Sequence, residues 1–522
     1  MNILIGGAWP YANGPLHIGH IAGLLPGDIL ARYYRAKGDT VFYVSGTDCH
    51  GTPICIKAKK ENKSPQEICD EYHNEFTDVF NRLGFSYDLY GKTTEQWHKD
   101  FVTEFHKQLY KSKYVYEKDS PQAYCNHCEK PLADRLVTGI CPVCGHEANG
   151  EQCDACGNVT DAGNLKEAKC SECGNPVSYY NAKHLYIAIS KLEEQLKDYL
   201  NKHNDWRNNA IAFTKRYIDE GLRDRAITRD LEWGIKVPKE GYEDKRIYIW
   251  AENVLGYLSA SKVLCDKRNI PFDDLWKNDS RHYYVHGKDN IPFHTIILPS
   301  LLLAHNQGYH LPDDIISNEH LTLEGRKIST SKNWAIWAKD IVKEYNPDTI
   351  RFFLVANGPE KRDTDFTWSE FIERNNSELL GIYGNFVNRT LLFIKKYQYN
   401  IVPKGIADEE IQKIINDTYA NAGKNIENGR LKEALLEVIS LVRYGNKYYD
   451  TKEPWKTRTS NIADCDNTIF NCTQIIANAA VLFRPFIPFS SDKVLSWLDL
   501  SYDWEIKKVK EGYTLPEISI LF

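Results

Sequence analysis

The chain has 522 residues, enough for roughly three or four domains at about 100–200 residues each. Apolar residues make up 42% and charged residues 26%, the balance of a globular protein, which excludes disorder, collagen and coiled coil as the main class. A net charge of −6 argues against indiscriminate coating of nucleic acid. No apolar run reaches the roughly 18 residues of a membrane helix, and the N-terminus lacks a basic n-region, so a cytoplasmic location with no membrane partner is expected.

In chain order, Ile3-Leu4-Ile5 predicts a short buried strand. A Gly/Pro/Asn-rich loop from Gly6 to Gly14 follows, then an apolar-periodic helix from about Leu16 to Lys37, capped by Gly38. The run TVFYVS at 40–45 predicts a second strand. Strand, glycine loop, helix, strand is a βαβ opening, which implies a parallel sheet with a nucleotide-type site at the strand C-termini. Residues 53–112 look helical, with Ser64-Pro65 starting one helix. From about Ser120 to Tyr180 turn residues and cysteine dominate, and such a stretch needs a staple other than a core. Residues 183–230 predict helix, while RIYIW at 246–250 and HYYVH at 282–286 bring strands back. Beyond Trp368, amphipathic segments at 370–398, 408–428, 431–451 and 465–484 predict a helical bundle.

Eight of the 14 cysteines form four C-x-x-C pairs: Cys125/Cys128, Cys141/Cys144, Cys153/Cys156 and Cys170/Cys173. Gly145, Gly157 and Gly174 follow three of them and permit the tight turn of a metal knuckle. Disulfides are rare in cytosolic chains, so the eight thiolates predict two tetrahedral four-cysteine sites suited to Zn2+, structural rather than catalytic. The pairs combine in either nested or sequential fashion. Cys49, Cys55, Cys69, Cys265, Cys465 and Cys472 read as ordinary thiols. The expected fold class is α/β: a Rossmann-like parallel-sheet catalytic domain split by a zinc-knuckle insertion, followed by an α-helical bundle.

The string PYANGPLHIGH, Pro10 to His20, places His17 and His20 at the first turn of a helix that follows a strand and a glycine loop. Free N–H groups and the helix dipole favour phosphate there, and imidazoles at i and i+3 share one face, from which they can donate to a phosphate gaining charge. Gly19 lets adenine or ribose approach the backbone. Asp48 ends the second strand, where a carboxylate can hold an ammonium group. This string resembles the HIGH signature of class I aminoacyl-tRNA synthetases. With GTDCHGTP (46–53), GKDNIPFHT (287–295), the loop Lys327-Ile328-Ser329-Thr330-Ser331 and the four cysteine pairs, nearly the whole chain resembles the methionyl-tRNA synthetase family. The motifs lean towards its archaeal and eukaryotic branch.

The resemblance implies ATP-dependent activation of L-methionine to methionyl-adenylate and its transfer to the 3′ end of tRNA(Met), for initiation and elongation, with Mg2+ accompanying ATP. It implies catalytic roles for His17, His20, Asp48, Arg229 and Lys327. ATP contacts are implied for His17, Gly19, His20, Gly287, Asp289, Lys327, Ser329, Thr330, Ser331 and Lys332. Thr330 stands where the family's KMSKS loop has its second lysine, and Lys332 either takes over that charge or does not. Methionine contacts are implied for Trp9, Tyr11, Asp48, Trp250, Asn253, Tyr257, Asn290 and His294. At Trp9, Asn253, Val254, Asn290 and Leu298 other members often carry Leu, Ala, Pro, Ile and Trp, a compensating repacking of one pocket. Shorter relatives imply nested zinc sites, Cys141, Cys144, Cys153 and Cys156 inside and Cys125, Cys128, Cys170 and Cys173 outside, with sequential pairing as the alternative. Asn385 and Arg389 in GNFVNR and Trp455 in YYDTKEPW match the family's CAU anticodon readers. The implied domains are 1–115 and 229–320 for the two catalytic halves, 116–228 for the insertion, 321–369 for the KISTS loop and stem-contact region, and 370–522 for the anticodon-binding helices. The insertion is too short for the hydrolytic domain of the valine, isoleucine and leucine enzymes. No appended β-barrel is visible, which implies a monomer. A paralogue activating another amino acid and a regulatory RNA- or zinc-binding protein with an impaired loop stay open as alternatives.

Overall fold

The computed structural model describes residues 1–522 except 151, 152, 154, 157–159, 161 and 331, so Gly157 and Ser331 lie outside the described residues. Five parallel strands form the central sheet: β1 (Asn2–Gly7), β2 (Thr40–Thr47), β3 (Leu89–Lys92), β4 (Ser280–Gly287) and β5 (Asp314–Asn318), in the order β5-β4-β1-β2-β3. Strand side chains alternate between two cores. Ile3, Ile5, Val41 and Tyr43 join one, and Leu4, Phe42 and Val44 join the other. The order reverses between β1 and β4, which pair from Asn2↔Ser280 to Gly7↔Val285. That reversal is a topological switch point, and ligands bind outside the strand C-termini there. Helix α1 (Ile18–Ala36) follows β1 and crosses this point, where a Cβ on Gly23 would lie 3.7 Å from the Gly287 nitrogen.

Residues 53–112 are not wholly helical. The short edge strand β3 interrupts the helices Thr52–Glu61, Pro65–Arg82 and Gln96–Leu109, and LYGK is too brief and polar to carry a period of two. The stretch 183–230 opens with the end of strand Ser178–Ile187, antiparallel to Val115–Cys125 from Val115↔Ile187 to Tyr124↔Ser178. Charged side chains on that ribbon hide its alternation. In RIYIW only Arg246–Ile247 is a strand, and tight 3-10 turns follow at Ile249–Ala251 and Asn253–Leu255. The fifth strand, DIISN, went unread because it is five residues long and wholly buried.

The cysteine-rich stretch carries a second small sheet of Val137–Ile140, Glu147–Asn149 and Lys166–Cys170. Its core mixes the eight paired cysteines with small Val, Leu and Ala side chains. The C-terminal part is helical: Asn385–Tyr397, Glu409–Glu427, Leu431–Lys452, Ile462–Phe483 and Pro488–Trp497 are its main helices, and a π-helical stretch, Asn375–Gly384, precedes them. A buried ion pair fastens this part to α1. Asp28 receives the Arg351 guanidinium at 2.7 Å and Arg32 at 2.8 Å, and Arg351 also donates to the carbonyls of Leu83, Pro485 and Phe486. Burial would push the Asp28 carboxyl up, yet the two guanidinium groups hold it well below the usual carboxylate range.

Candidate active site

A cavity of about 450 Å³ opens at the switch point. His17 is the N-cap of α1, and its Nδ1 accepts from the Gly19 N–H at 3.2 Å. His20 Nδ1 in turn accepts from the His17 N–H at 3.1 Å, a capping box built from two imidazoles 3.8 Å apart. Loss of solvent, then repulsion by His20, lowers the His17 pKa to about 2, and loss of solvent lowers that of His20 to about 4. Both rings are therefore neutral, and with Nδ1 accepting, each carries its proton on Nε2. The result is two N–H donors at a helix N-terminus. A Cβ on Gly19 would lie 3.0 Å from His17 Nδ1, so glycine keeps that cap intact.

Asp48 is buried at the end of β2, bonded through its backbone to the histidine loop: Ala12 N–H donates to the Asp48 carbonyl at 2.9 Å, and Asp48 N–H to that of Pro10 at 2.8 Å. Burial, then the neighbouring Glu252 carboxylate, pushes its pKa well above the ordinary range. An ammonium group reverses both effects on arrival, because it supplies the missing counter-charge. Glu252 itself is paired: His50 Nδ1 lies 2.5 Å from its Oε1 and His98 Nε2 lies 3.5 Å away. Burial opposes ionisation of Glu252, but the adjoining histidines hold its pKa at about 2. This buried His50–Glu252–His98 group was missed in the sequence. His50 belongs to the same GTDCHGTP string as Asp48, and that string was the available signal. Glu252 carried none.

The cavity brings together Trp9, Tyr11, His17, Gly19, His20, Asp48, Trp250, Asn253, Tyr257, Gly287, Asp289, Asn290, His294, Lys327 and Thr330. Tyr257 and His294 face each other, hydroxyl to Nε2 at 2.8 Å, with His294 Nδ1 against the Asn290 carbonyl at 2.8 Å. His294 sits on a π-helical turn, Phe293–Ile297, and stacks on His286 at 4.2 Å. Trp9 is buried against two glycines: a Cβ on Gly46 would lie 2.4 Å, and one on Gly256 2.7 Å, from its ring. Leu298 is buried outside the cavity lining.

Arg229 is not among the cavity-lining residues. It lies on the strand pair Thr228–Arg229/Arg246–Ile247, with its guanidinium 3.7 Å from the centre of the Tyr248 ring. The loop after Lys327 is a tight hairpin in which Ser329 pairs with Trp334 by two backbone bonds. Lys327 and Thr330 reach the cavity, whereas Lys332 is exposed at the tip and is not part of the lining. The chain after the hairpin returns to the histidine loop, with Ile18 N–H on the Ile336 carbonyl and Ala338 N–H on that of Leu16.

The cysteines resolve into nested quartets. Cys141, Cys144, Cys153 and Cys156 form one cluster and Cys125, Cys128, Cys170 and Cys173 the other, with the sulfurs of each within 4.8 Å of one another. Sulfur pairs at 3.5 Å (Cys125–Cys173 and Cys144–Cys153) fit the edges of a tetrahedron around zinc. Gly145 and Gly174 adopt φ of 75° and 74°, as the knuckle turn requires.

In the helical part, Asn385 is exposed at the start of its helix and Arg389 lies one turn on. The Arg389 guanidinium bonds Asp450 at 2.7 Å and covers the Tyr449 ring at 4.2 Å. Trp455, 42% exposed, stacks on the same tyrosine at 5.8 Å, so Arg389 and Trp455 meet on Tyr449.

A family profile described as tRNA synthetases class I (M) matches residues 3–391, and one described as the anticodon binding domain of methionyl tRNA ligase matches 402–517. The chain is 51% identical to Methionine--tRNA ligase 1 of Alkaliphilus oremlandii over 100% of its own length and 97% of the relative's. It is 50% identical to Methionine--tRNA ligase of Bacillus cereus strain Q1 over 99% and 94%. These relatives are bacterial, against the archaeal and eukaryotic leaning of the motifs. Its fold is similar to that of a Mycobacterium tuberculosis methionyl-tRNA synthetase bound by methionyl-adenylate, with a TM-score of 0.83, 20% identity and full coverage of both chains.

Proposed function

Because the chain belongs to the methionyl class I tRNA synthetases, we propose that its cavity joins methionine to ATP with His17, His20, Asp48 and Lys327 as the working groups. It is an aminoacyl-tRNA ligase that forms methionyl-adenylate and charges tRNA(Met). The observation that carries the site assignment is the convergence, on one cavity, of two neutral imidazoles at a helix N-terminus, a buried carboxylate and a lysine.

Asp48 holds the α-ammonium of methionine and so aims its carboxylate at the α-phosphate. Tyr257, His294 and Trp250 wall the side chain, and Trp9, Tyr11, Asn253 and Asn290 complete the pocket. His17 and His20 donate from Nε2 to the phosphate as it gains negative charge, and the α1 dipole adds to that field. Gly19, Gly287 and Asp289 border the nucleotide, and Lys327 screens the departing pyrophosphate. Ser329, Thr330, Ser331 and Lys332 complete the loop over it. Arg229, which lies over Tyr248 outside the cavity lining, assists activation in this reading. Magnesium arriving with ATP supplies charge neutralisation of the pyrophosphate. No protein nucleophile is needed, since holding the carboxylate and phosphate in line supplies much of the rate.

Zinc in both quartets would give the insertion the folding free energy that its few apolar side chains cannot. Asn385, Arg389 and Trp455 read the CAU anticodon, Asn by a base edge and Trp by stacking. In this reading the enzyme works as a monomer in the cytoplasm, its cavity complete within one chain. No helix among the described residues is long and apolar enough to cross a membrane. ATP–pyrophosphate exchange measured with each proteinogenic amino acid tests the assignment. Methionine alone should support exchange, and Asp48→Asn should abolish it. A preference for another amino acid overturns the substrate, and an active Asp48→Asn overturns the site.

A further inference from the structure

The two helices that carry the proposed anticodon contacts carry a second aromatic–cation pair further along. Tyr397 closes the helix Asn385–Tyr397, and the Arg458 guanidinium, from helix Pro454–Ser460, lies over its ring at 4.4 Å. Lys396 Nζ is 5.1 Å from the same ring centre. Arg458 Nε donates to the Trp455 carbonyl at 3.1 Å, which ties this pair to the turn that presents the tryptophan. Tyr397 is eight residues beyond Arg389 on one helix, a rise of about 12 Å, on the order of three stacked bases.

The two levels differ in charge. Arg389 is neutralised by Asp450, while Arg458 is exposed and has no carboxylate partner among the described residues. Just past the pair, Tyr399 is 89% exposed, and it and Asn400 adopt φ of 52° and 63°. Left-handed backbone is unfavourable for tyrosine. The turn is pinned by Ile401 N–H on the Gln398 carbonyl at 2.8 Å and by Gln398 Nε2 on Asp466 at 2.8 Å. The fold thus holds an uncovered phenol ring two residues along the chain from the ring that the Arg458 guanidinium covers.

We infer that Tyr397, Arg458 and Tyr399 form a second stacking platform, which holds an unpaired base of the tRNA anticodon loop beside the triplet. The inference rests on the reading of Asn385, Arg389 and Trp455 as the triplet's contacts. A guanidinium already stacked on a ring offers its outer face to a base and its N–H groups to a phosphate, and every base has a π-face. Its contact groups are two phenol rings and a guanidinium, and the neighbouring Gln398 amide is engaged with Asp466, so it recognises presence of a base rather than its identity. The platform lies on the same two helices as the proposed triplet contacts and is tied to Trp455 through Arg458 Nε, which favours the same RNA over a separate partner.

The test uses the full-length enzyme and stem-loop RNAs bearing CAU, with the flanking loop nucleotide intact, replaced by another base, or abasic. Tyr399→Ala and Arg458→Gln should each weaken binding of the intact loop roughly tenfold, and should bind the abasic loop as the unmodified enzyme does. Exchanging the flanking base should change little, and ATP–pyrophosphate exchange should be unaffected, which also certifies folding. Equal affinity of variants and parent for the intact loop overturns the platform. So does a loss that persists undiminished on the abasic loop. Trp455→Ala serves as the reference: if it weakens binding while Tyr399→Ala and Arg458→Gln do not, the platform falls and the triplet reading stands. If none of the three weakens binding, the triplet reading falls with it.

Discussion

Trp9 fits its pocket only because Gly256 has no side chain, and Gly256→Ala makes that dependence measurable. The added Cβ would lie 2.7 Å from Cζ2, 2.8 Å from Cε2 and 3.1 Å from Cη2 of the indole, with no other heavy atom as near. Gly46→Ala is a poorer probe, since its Cβ also meets the Gly91 carbonyl oxygen at 2.7 Å. Overpacking of this kind costs about 1–3 kcal/mol. Gly256 begins a helix with ordinary helical dihedrals, φ −56° and ψ −35°, so alanine recovers roughly 0.8–1 kcal/mol of helix propensity. Global stability should therefore fall by no more than about 2 kcal/mol. The push falls on the indole, which walls the methionine side of the cavity. If relief of about 1–3 kcal/mol of strain competes with methionine for that space, the methionine KM in pyrophosphate exchange rises about 5- to 150-fold. The KM for ATP, bound at the α1 N-terminus, should not change. Trp9→Leu removes the obstructing ring, so Trp9→Leu/Gly256→Ala should return to the KM of Trp9→Leu alone. An unchanged methionine KM in Gly256→Ala, or additive losses in the double variant, would refute the packing argument.

Metal analysis should find two zinc ions per chain, and chelation should unfold the stretch from 120 to 180 in hydrogen exchange; a count near one means that one quartet is vestigial. Thr330→Lys should leave the activation rate within a few-fold, because Lys327 already reaches the cavity; a gain of about 100-fold, about 2.7 kcal/mol, would show that the loop is impaired as it stands. Trp455→Ala should weaken aminoacylation and spare pyrophosphate exchange, and equal losses in both assays would mark it as structural. His20 has a native pKa of about 4 against an ordinary 6.5, so the unfolded chain takes up its proton first as pH falls. Its contribution is complete above 6.5 and shrinks down to 4; urea unfolding of the parent and of His20→Asn should therefore converge on acidification across that window. A constant difference between them would contradict the buried, neutral ring.

Much of the site was legible because it lies in strings whose spacing has a local cause. PYANGPLHIGH reads as a loop entering a helix, and the structure places both histidines in that helix's first turn, where they also cap it. The C-x-x-C pairs announced their metal turns, but spacing alone left their combination open, and it took the sheet of Val137–Ile140 and Lys166–Cys170 to nest them. The ribbon Val115–Cys125/Ser178–Ile187 escaped because its strands are polar on an exposed face and pair across the cysteine stretch. Glu252 and the glycines under Trp9 escaped for a different reason. Their meaning depends on atoms distant in the chain, His50 for Glu252 and Trp9 for Gly46 and Gly256, and neither composition nor period reports such a contact.

The Asp28–Arg351 pair bears on how this chain can be taken apart. Arg351 draws acceptors from both ends of the chain, Leu83 from the sheet half and Pro485 and Phe486 from the helical half. A fragment ending before Pro485 would strip that guanidinium of two carbonyl acceptors while Asp28 and the Leu83 carbonyl remain, and a buried donor left unpaired costs about 1–3 kcal/mol. The loss would fall on α1, the same helix whose first residues present His17 and His20 to the cavity. The catalytic half is thus not a cassette that can be excised or grafted at the start of the helices. Its two ends must be cut and exchanged together, and the turn that enters the last of the C-terminal helices is, in structural terms, a wall of the nucleotide site's foundation.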